Sequence, residues 1–171
     1  MMAPLVRRTW APRGQTPVLY QRTRSHQKVS AIAALTVSPR GQRVGLYFLL
    51  LPNQNVTSVN LIEFLRQLRH QLRGRLLVIW DRLQAHRSRA MNEFLGGQGA
   101  ITVEFLPPYA PELNPVELVW SYLKTNPLAN LAPNDLEELT RLAHKSTKMV
   151  QADDNLLRSF LAGTPLFQSL R

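Results

Sequence analysis

Two carboxylates in this sequence of 171 residues are spaced so that they could share a metal ion. Asp81 ends the apolar run Leu76 to Trp80, and Glu117 follows the proline-rich stretch Pro107-Pro108-Tyr109-Ala110-Pro111, with 35 residues between the two acids. Two-metal phosphoryl transfer needs hard oxygen ligands that hold a pair of magnesium ions about 4 Å apart, one activating the attacking oxygen and one stabilising the leaving oxygen. Carboxylates from different elements suit that task. Each also has a plain structural alternative. Asn114-x-x-Glu117 has capping-box spacing and could stabilise a helix start with no catalysis. An aspartate just after a strand is a common turn residue.

The elements that must position these acids follow from patterning. Leu76 to Trp80 is too short for a helix and reads as a strand covered on both faces, with Asp81 at the carboxyl end, where ligands gather in open α/β sheets. Asn114 is a good N-cap, Pro115 suits the first helical position, and Leu113, Val116, Trp120 and Leu123 supply a stripe for burial, so Glu117 falls in the first turn. Upstream, Val29 to Val37 and Val44 to Leu51 are β-rich runs joined by Ser38-Pro39-Arg40-Gly41-Gln42, a loop of hairpin length. From Thr57 to Arg73 the period becomes helical: Leu61, Ile62, Leu65, Leu68 and Leu72 share a stripe, and Gly74 closes it.

Ser88 to Leu95 predicts a short helix, Ile101 to Leu106 a strand, and Asn155 to Leu161 a last short helix. Asn134 to Val150 predicts a longer helix with Asn134 and Glu137 as its capping box. Trp10 to Pro17 reads as a turn leading into a short strand, Val18 to Gln21. Strands come first, then strand and helix alternate, then helices follow. That order predicts an α/β chain with a mixed sheet flanked by helices, as in a ribonuclease-H-like fold.

Charge is unevenly placed. The net charge is +10, yet the first 62 residues hold eight Arg and Lys and no Asp or Glu. Arg7, Arg8, Arg13, Arg22, Arg24 and Lys28 could neutralise phosphates there, the footprint of a polyanion binder, or could form a merely soluble basic face. The absence of cysteine excludes disulfides and thiolate zinc sites, so any metal must sit on oxygen or imidazole. No apolar run approaches the roughly 20 residues of a membrane helix, and Met1 to Arg8 lacks a signal-peptide core. The expectation is one domain in a soluble, cytoplasmic, nucleoid-associated chain without a small-molecule cofactor.

The segment Leu106 to Trp120, with Pro-Pro-Tyr-Ala-Pro-Glu-Leu-Asn-Pro-Val-Glu inside it, resembles the signature of mariner-superfamily DDE transposases, especially their bacterial insertion-sequence branch. Trp10-Ala-Pro-Arg-Gly-Gln-Thr-Pro17 resembles the hairpin after that family's first catalytic strand. The resemblance implies that Asp81 is the second catalytic acid and metal ligand and Glu117 the third, with Mg2+ or Mn2+ as the ion. It implies DNA partners, both transposon ends and target, and a homodimer or a pairing with an intact transposase. Asp81-Arg82-Leu83-Gln84-Ala85-His86-Arg87-Ser88 departs from the family's Asp-Asn-x-Pro-Ala-His-x-Ser at Arg82 and Gln84. His86 matches the family histidine and reads as a hydrogen-bonded packing residue. Arg13, Arg87, Arg89 and Lys124 are the candidate DNA contacts, with a solvated face as the alternative; cations at a helix amino end oppose the dipole and favour an anionic partner.

The family's first acid stands on a strand before the Trp-Ala-Pro hairpin, and this sequence has no acid before Glu63. Glu63 falls on the amphipathic helix, where the family has no catalytic residue, and Arg66 suggests an ordinary surface pair. The expectation is therefore a catalytic domain with its first strand wholly or partly missing, incomplete at the N-terminus, helical over residues 126 to 171, and inactive alone. Two other readings stay open: a non-catalytic DNA-binding or dimerising remnant, and a fragment that does not fold.

Overall fold

Alternating side chains and helical stripes sort this chain into four strands and five helices among the residues described by the computed structural model, namely 8, 10–15, 18, 28–131 and 133–170. Strands β1 (Val29–Val37) and β2 (Val44–Pro52) pair antiparallel, Val37 opposite Val44 and Val29 opposite Pro52. The loop between them is closed by Ser38 N–H donating to the Arg43 carbonyl at 2.8 Å. Strands β3 (Leu76–Trp80) and β4 (Ile101–Phe105) pair parallel, with Trp80 opposite Phe105. A parallel pair needs a crossover, and α2 (Arg89–Gly96) supplies it. Among the described residues the two ladders are not hydrogen-bonded to each other.

Helix α1 (Ser58–Gln71) starts at Thr57, whose side chain accepts from Asn60 N–H while the Asn60 side chain accepts from Thr57 N–H. It turns Leu61, Phe64, Leu65 and Leu68 onto a first core that takes Ile32 and Leu51 from one ladder, Trp80 from the other, and Met91 from α2. A second core lies on the other side of β1 and β2. There α3 (Pro115–Thr125), α4 (Leu136–Gln151) and α5 (Asp154–Ala162) pack Val119, Leu123, Val150, Leu157 and Phe160 against Leu46.

Three expectations need correction. Strand β3 is covered on one face only: Leu76, Val78 and Trp80 point to the first core, whereas Leu77 is 61% and Ile79 37% exposed, because α3 to α5 pack on the other ladder. Helix α4 is capped by Asp135 rather than Asn134; Glu138 N–H donates to Asp135 Oδ1 at 2.7 Å, and the Glu138 carboxylate accepts from Asn134 N–H. In α3 the buried stripe is Pro115, Val119 and Leu123, with Trp120, Val116 and Leu113 only partly covered. The expected strand Val18 to Gln21 lies outside the described residues apart from Val18. The turn before it is present, with Gln15 N–H donating to the Pro12 carbonyl at 3.0 Å and Gly14 at φ 85°.

Candidate active site

Asp81 leaves the last residue of β3 with a carboxylate that is half exposed and half committed. Its Oδ1 accepts from Leu83 N–H at 3.0 Å, a local turn bond, and from His86 Nδ1 at 2.8 Å. A carboxylate only accepts, so Nδ1 carries the proton. Both donors use Oδ1, which among the described residues leaves Oδ2 for a ligand. The turn reading of Asp81 is thus met, but it consumes one oxygen and spares the other.

His86 is held from behind. Its imidazole stacks on the Trp80 indole with ring centroids 4.3 Å apart and planes 4° from parallel, and its side chain is mostly buried. Trp80 is itself in the first core, so β3, the indole, the imidazole and the carboxylate form one chain of contacts. His86→Ala is expected to remove a hydrogen bond and a stacked ring pair worth about 2 kcal/mol together, lowering the melting temperature by ~4–8 °C in a chain of this size. Asn at 86, whose amide reaches the Nδ1 position, should recover part of that in a thermal scan. Equal melting temperatures for His86 and Ala would remove the contact from the account.

Glu117 sits in the first turn of α3, exposed. The helix start is satisfied without it: Asn114 Oδ1 accepts from Val116 N–H at 3.2 Å, and Pro115 needs no partner. The capping-box alternative therefore fails here, and the Glu117 carboxylate makes no hydrogen bond or ion pair among the described residues. The chain that leads to α3 leaves from the join of the two strand ends. Leu106 N–H donates to the Trp80 carbonyl at 2.9 Å, and Arg82 Nε donates to the Leu106 carbonyl at 3.1 Å while its guanidinium lies over Phe105. In the sequence Arg82 stands out only as a departure from the family pattern. Its signal was a cation next to an acid at a strand end, facing a loop whose prolines leave carbonyls unpaired.

The basic candidates divide. Arg87 is exposed, without a partner among the described residues, at the end of the 3-10 turn Gln84–Arg87, and Arg13 is exposed at the Arg13-Gly14 turn. Arg89, the first residue of α2, instead bonds Glu93 through Nε at 2.8 Å, so the surface-pair alternative holds for it. Lys124 lies seven residues after Glu117 on α3, on the same side of the helix about 10 Å along. Glu63 pairs with Arg66 at 3.9 Å, as an ordinary surface pair should. Among the described residues, no group of three or more His, Cys, Asp or Glu is placed to hold a metal ion.

Residues 2–140 match the model of the DDE superfamily endonucleases. The chain belongs to that family. The fold agrees: Mos1 mariner transposase in a paired-end complex with Mn matches over 98% of this chain and 49% of that one, with a TM-score of 0.64 at 17% identity. The Mos1 strand transfer complex matches over 99% and 49%, with a TM-score of 0.62 at 17% identity. The Mos1 paired-end complex with the left transposon end gives 0.62 at 18% identity, again over 99% and 49%. A curated relative, the uncharacterized protein y4pE/y4sA of Sinorhizobium fredii, is 49% identical over 39 residues, 23% of this chain and 29% of that protein. The chain thus spans about half the length of the solved chains it matches. This DDE endonuclease chain has the ribonuclease-H-like, mixed α/β fold that its element order predicted. Its described helices are all too short or too polar to cross a membrane.

Proposed function

We propose that this chain is most of the catalytic domain of a mariner-like DDE transposase, which cuts and joins DNA by metal-dependent phosphoryl transfer. The observation that carries the reading is the pair of uncommitted carboxylate groups: Asp81 Oδ2 at the end of β3 and Glu117 at the start of α3, which follows the loop that leaves β4 beside Asp81. Neither group is needed in full by the fold, so both are available to a ligand.

The donor set fits Mg2+ or Mn2+ in kind, because both ions take hard oxygens. It falls short in number, with two acids where the family uses three. Asp81 and Glu117 would hold the ion, which when bound activates the attacking oxygen and stabilises the leaving one. The third carboxylate comes, on this reading, from outside these 171 residues, as no acid precedes Glu63. Arg13, Arg87 and Lys124 meet DNA phosphates, with Arg89 available only if Glu93 releases it. Transposon ends and target DNA are the partners, alongside a second chain of the same kind, and the chain works where the chromosome is, in the bacterial cytoplasm.

Duplex DNA binding tests the electrostatic half of this reading. Affinity is expected to fall steeply between 50 and 200 mM salt, with Arg13→Ala and Arg87→Ala together reducing the slope of log K against log salt by about 2. Asp81→Ala with Glu117→Ala should leave binding undiminished, since the pair removes only negative charge. Salt-independent binding, or a slope unchanged by the arginine pair, would sink it. A second reading, a DNA-binding remnant without catalysis, is favoured by the acid-free first 62 residues. Mn2+ binding that disappears in Asp81→Ala speaks against that remnant.

A further inference from the structure

The outer edge of β2 opens into a groove that the site described above does not use. Three observations show that the strand's own backbone lines it. Ser38 N–H donates to the Arg43 carbonyl at one end of the ladder, and Asn53 N–H donates to the Lys28 carbonyl at the other, which fixes the alternation of the antiparallel pairs between them. By that alternation Leu46, Phe48 and Leu50 turn their N–H and C=O groups away from β1. The Leu46 carbonyl confirms it by accepting from the Gln151 side chain on α4.

The groove has a volume of about 460 Å3 and is walled by Gln67 and Gln71 of α1 and by Thr140, His144, Lys148 and Gln151 of α4. Helix α1 packs on one face of the β1–β2 ladder and α4 on the other, so a cavity touching both helices must run along the edge. Among the described residues no strand pairs with that edge. Native proteins usually blunt or cover such edges. Here two helices flank it, and among the described residues nothing pairs with the backbone groups of Phe48 and Leu50.

We propose that this edge is a docking site for an extended acidic peptide, which adds a strand to β2. The exposed ladder favours a polypeptide over a nucleic acid, because only another backbone offers alternating donors and acceptors at strand spacing. The charge favours acidic residues. No residue lining the groove is acidic, while Lys148 lies 5.6 Å over the Phe48 ring and His144 packs edge-on against the same ring at 5.8 Å. A second copy pairing through the same edge would bring Lys148 toward Lys148. Residues 1 to 62 of this chain carry no acid to offer.

The probe is a fluorescein-labelled Glu-Val-Glu-Val-Glu-Val peptide, titrated with the whole chain and read by anisotropy and by amide exchange. Saturable binding is expected, with slowed exchange at Phe48 and Leu50. Lys148→Glu should weaken it about tenfold. Leu50→Pro should abolish it with the fold retained, because proline is tolerated at an edge position whose N–H faces outward. If Leu50→Pro loses its circular dichroism signal, Lys148→Glu and the exchange rates decide alone. No binding up to ~1 mM, equal binding of the Lys-Val counterpart, displacement by short duplex DNA, or indifference to Lys148→Glu would each overturn the proposal.

Discussion

Leu123→Ala is expected to destabilise the chain by about 3 kcal/mol and to lower its melting temperature by ~6–12 °C. Leu123 is fully buried, on the helix whose first turn carries Glu117, and it packs in the core shared by Leu46, Val119, Val150 and Leu157. Truncation there forfeits both the transfer free energy of the side chain and the contacts around the hole it leaves. Leu123→Met keeps the volume and should cost under about 1.5 kcal/mol. A calorimetric scan of the two variants checks this, and a shift of less than ~2 °C for Ala would mean that α3 is not anchored through this residue.

On the proposed function the same residue bears on chemistry, because Asp81 and Glu117 hang from different cores. Asp81 is fixed through Trp80 to the core that contains α1 and Met91, whereas Glu117 is fixed through α3 to the core on the far side of β1 and β2. Between those two cores lies the two-stranded ladder of β1 and β2. Loosening either core moves one acid relative to the other without touching either.

Much of this was legible in the sequence, for reasons that differ by element. β1 and the Leu76–Trp80 strand could be bounded because turn residues and period changes flank them. The start of α3 was legible because Asn114 and Pro115 mark a helix start whatever packs on it. The N-cap of α4 slipped by one residue because Asn134 and Asp135 are both good caps, and only the reach of Glu138 back to Asn134 separates them. The open face of β3 was illegible: Leu76 to Trp80 is apolar throughout, and burial of one face or both depends on which helices return over it. At the proposed site, type and spacing drew attention to Asp81 and Glu117 but left each a plain structural alternative, and the family resemblance singled them out. The stack of His86 on Trp80 was not legible, since a side-chain rotamer six residues along a turn leaves no periodic trace.

Incubated alone with Mg2+ and terminal inverted-repeat DNA, these 171 residues are expected to give cleavage at background, at least ~10³-fold below a family member with three acids. Two carboxylates leave a pair of divalent ions under-neutralised and poorly placed, and several of the chain's other acids are engaged elsewhere. Glu93 holds Arg89, Glu63 faces Arg66, and Glu138 closes the start of α4. Glu104 is the one to watch. It sits opposite Ile79 on the parallel neighbour of β3, and strand alternation puts it on the same open face as Asp81. Robust cleavage would overturn the view that the third carboxylate lies outside these residues, and its loss in Glu104→Gln, with Asp81→Asn as the positive control, would name the source. Background cleavage that rises when a segment bearing an aspartate is supplied, and falls again in Asp81→Asn, would assign the third ligand to that segment and keep Asp81 in the site.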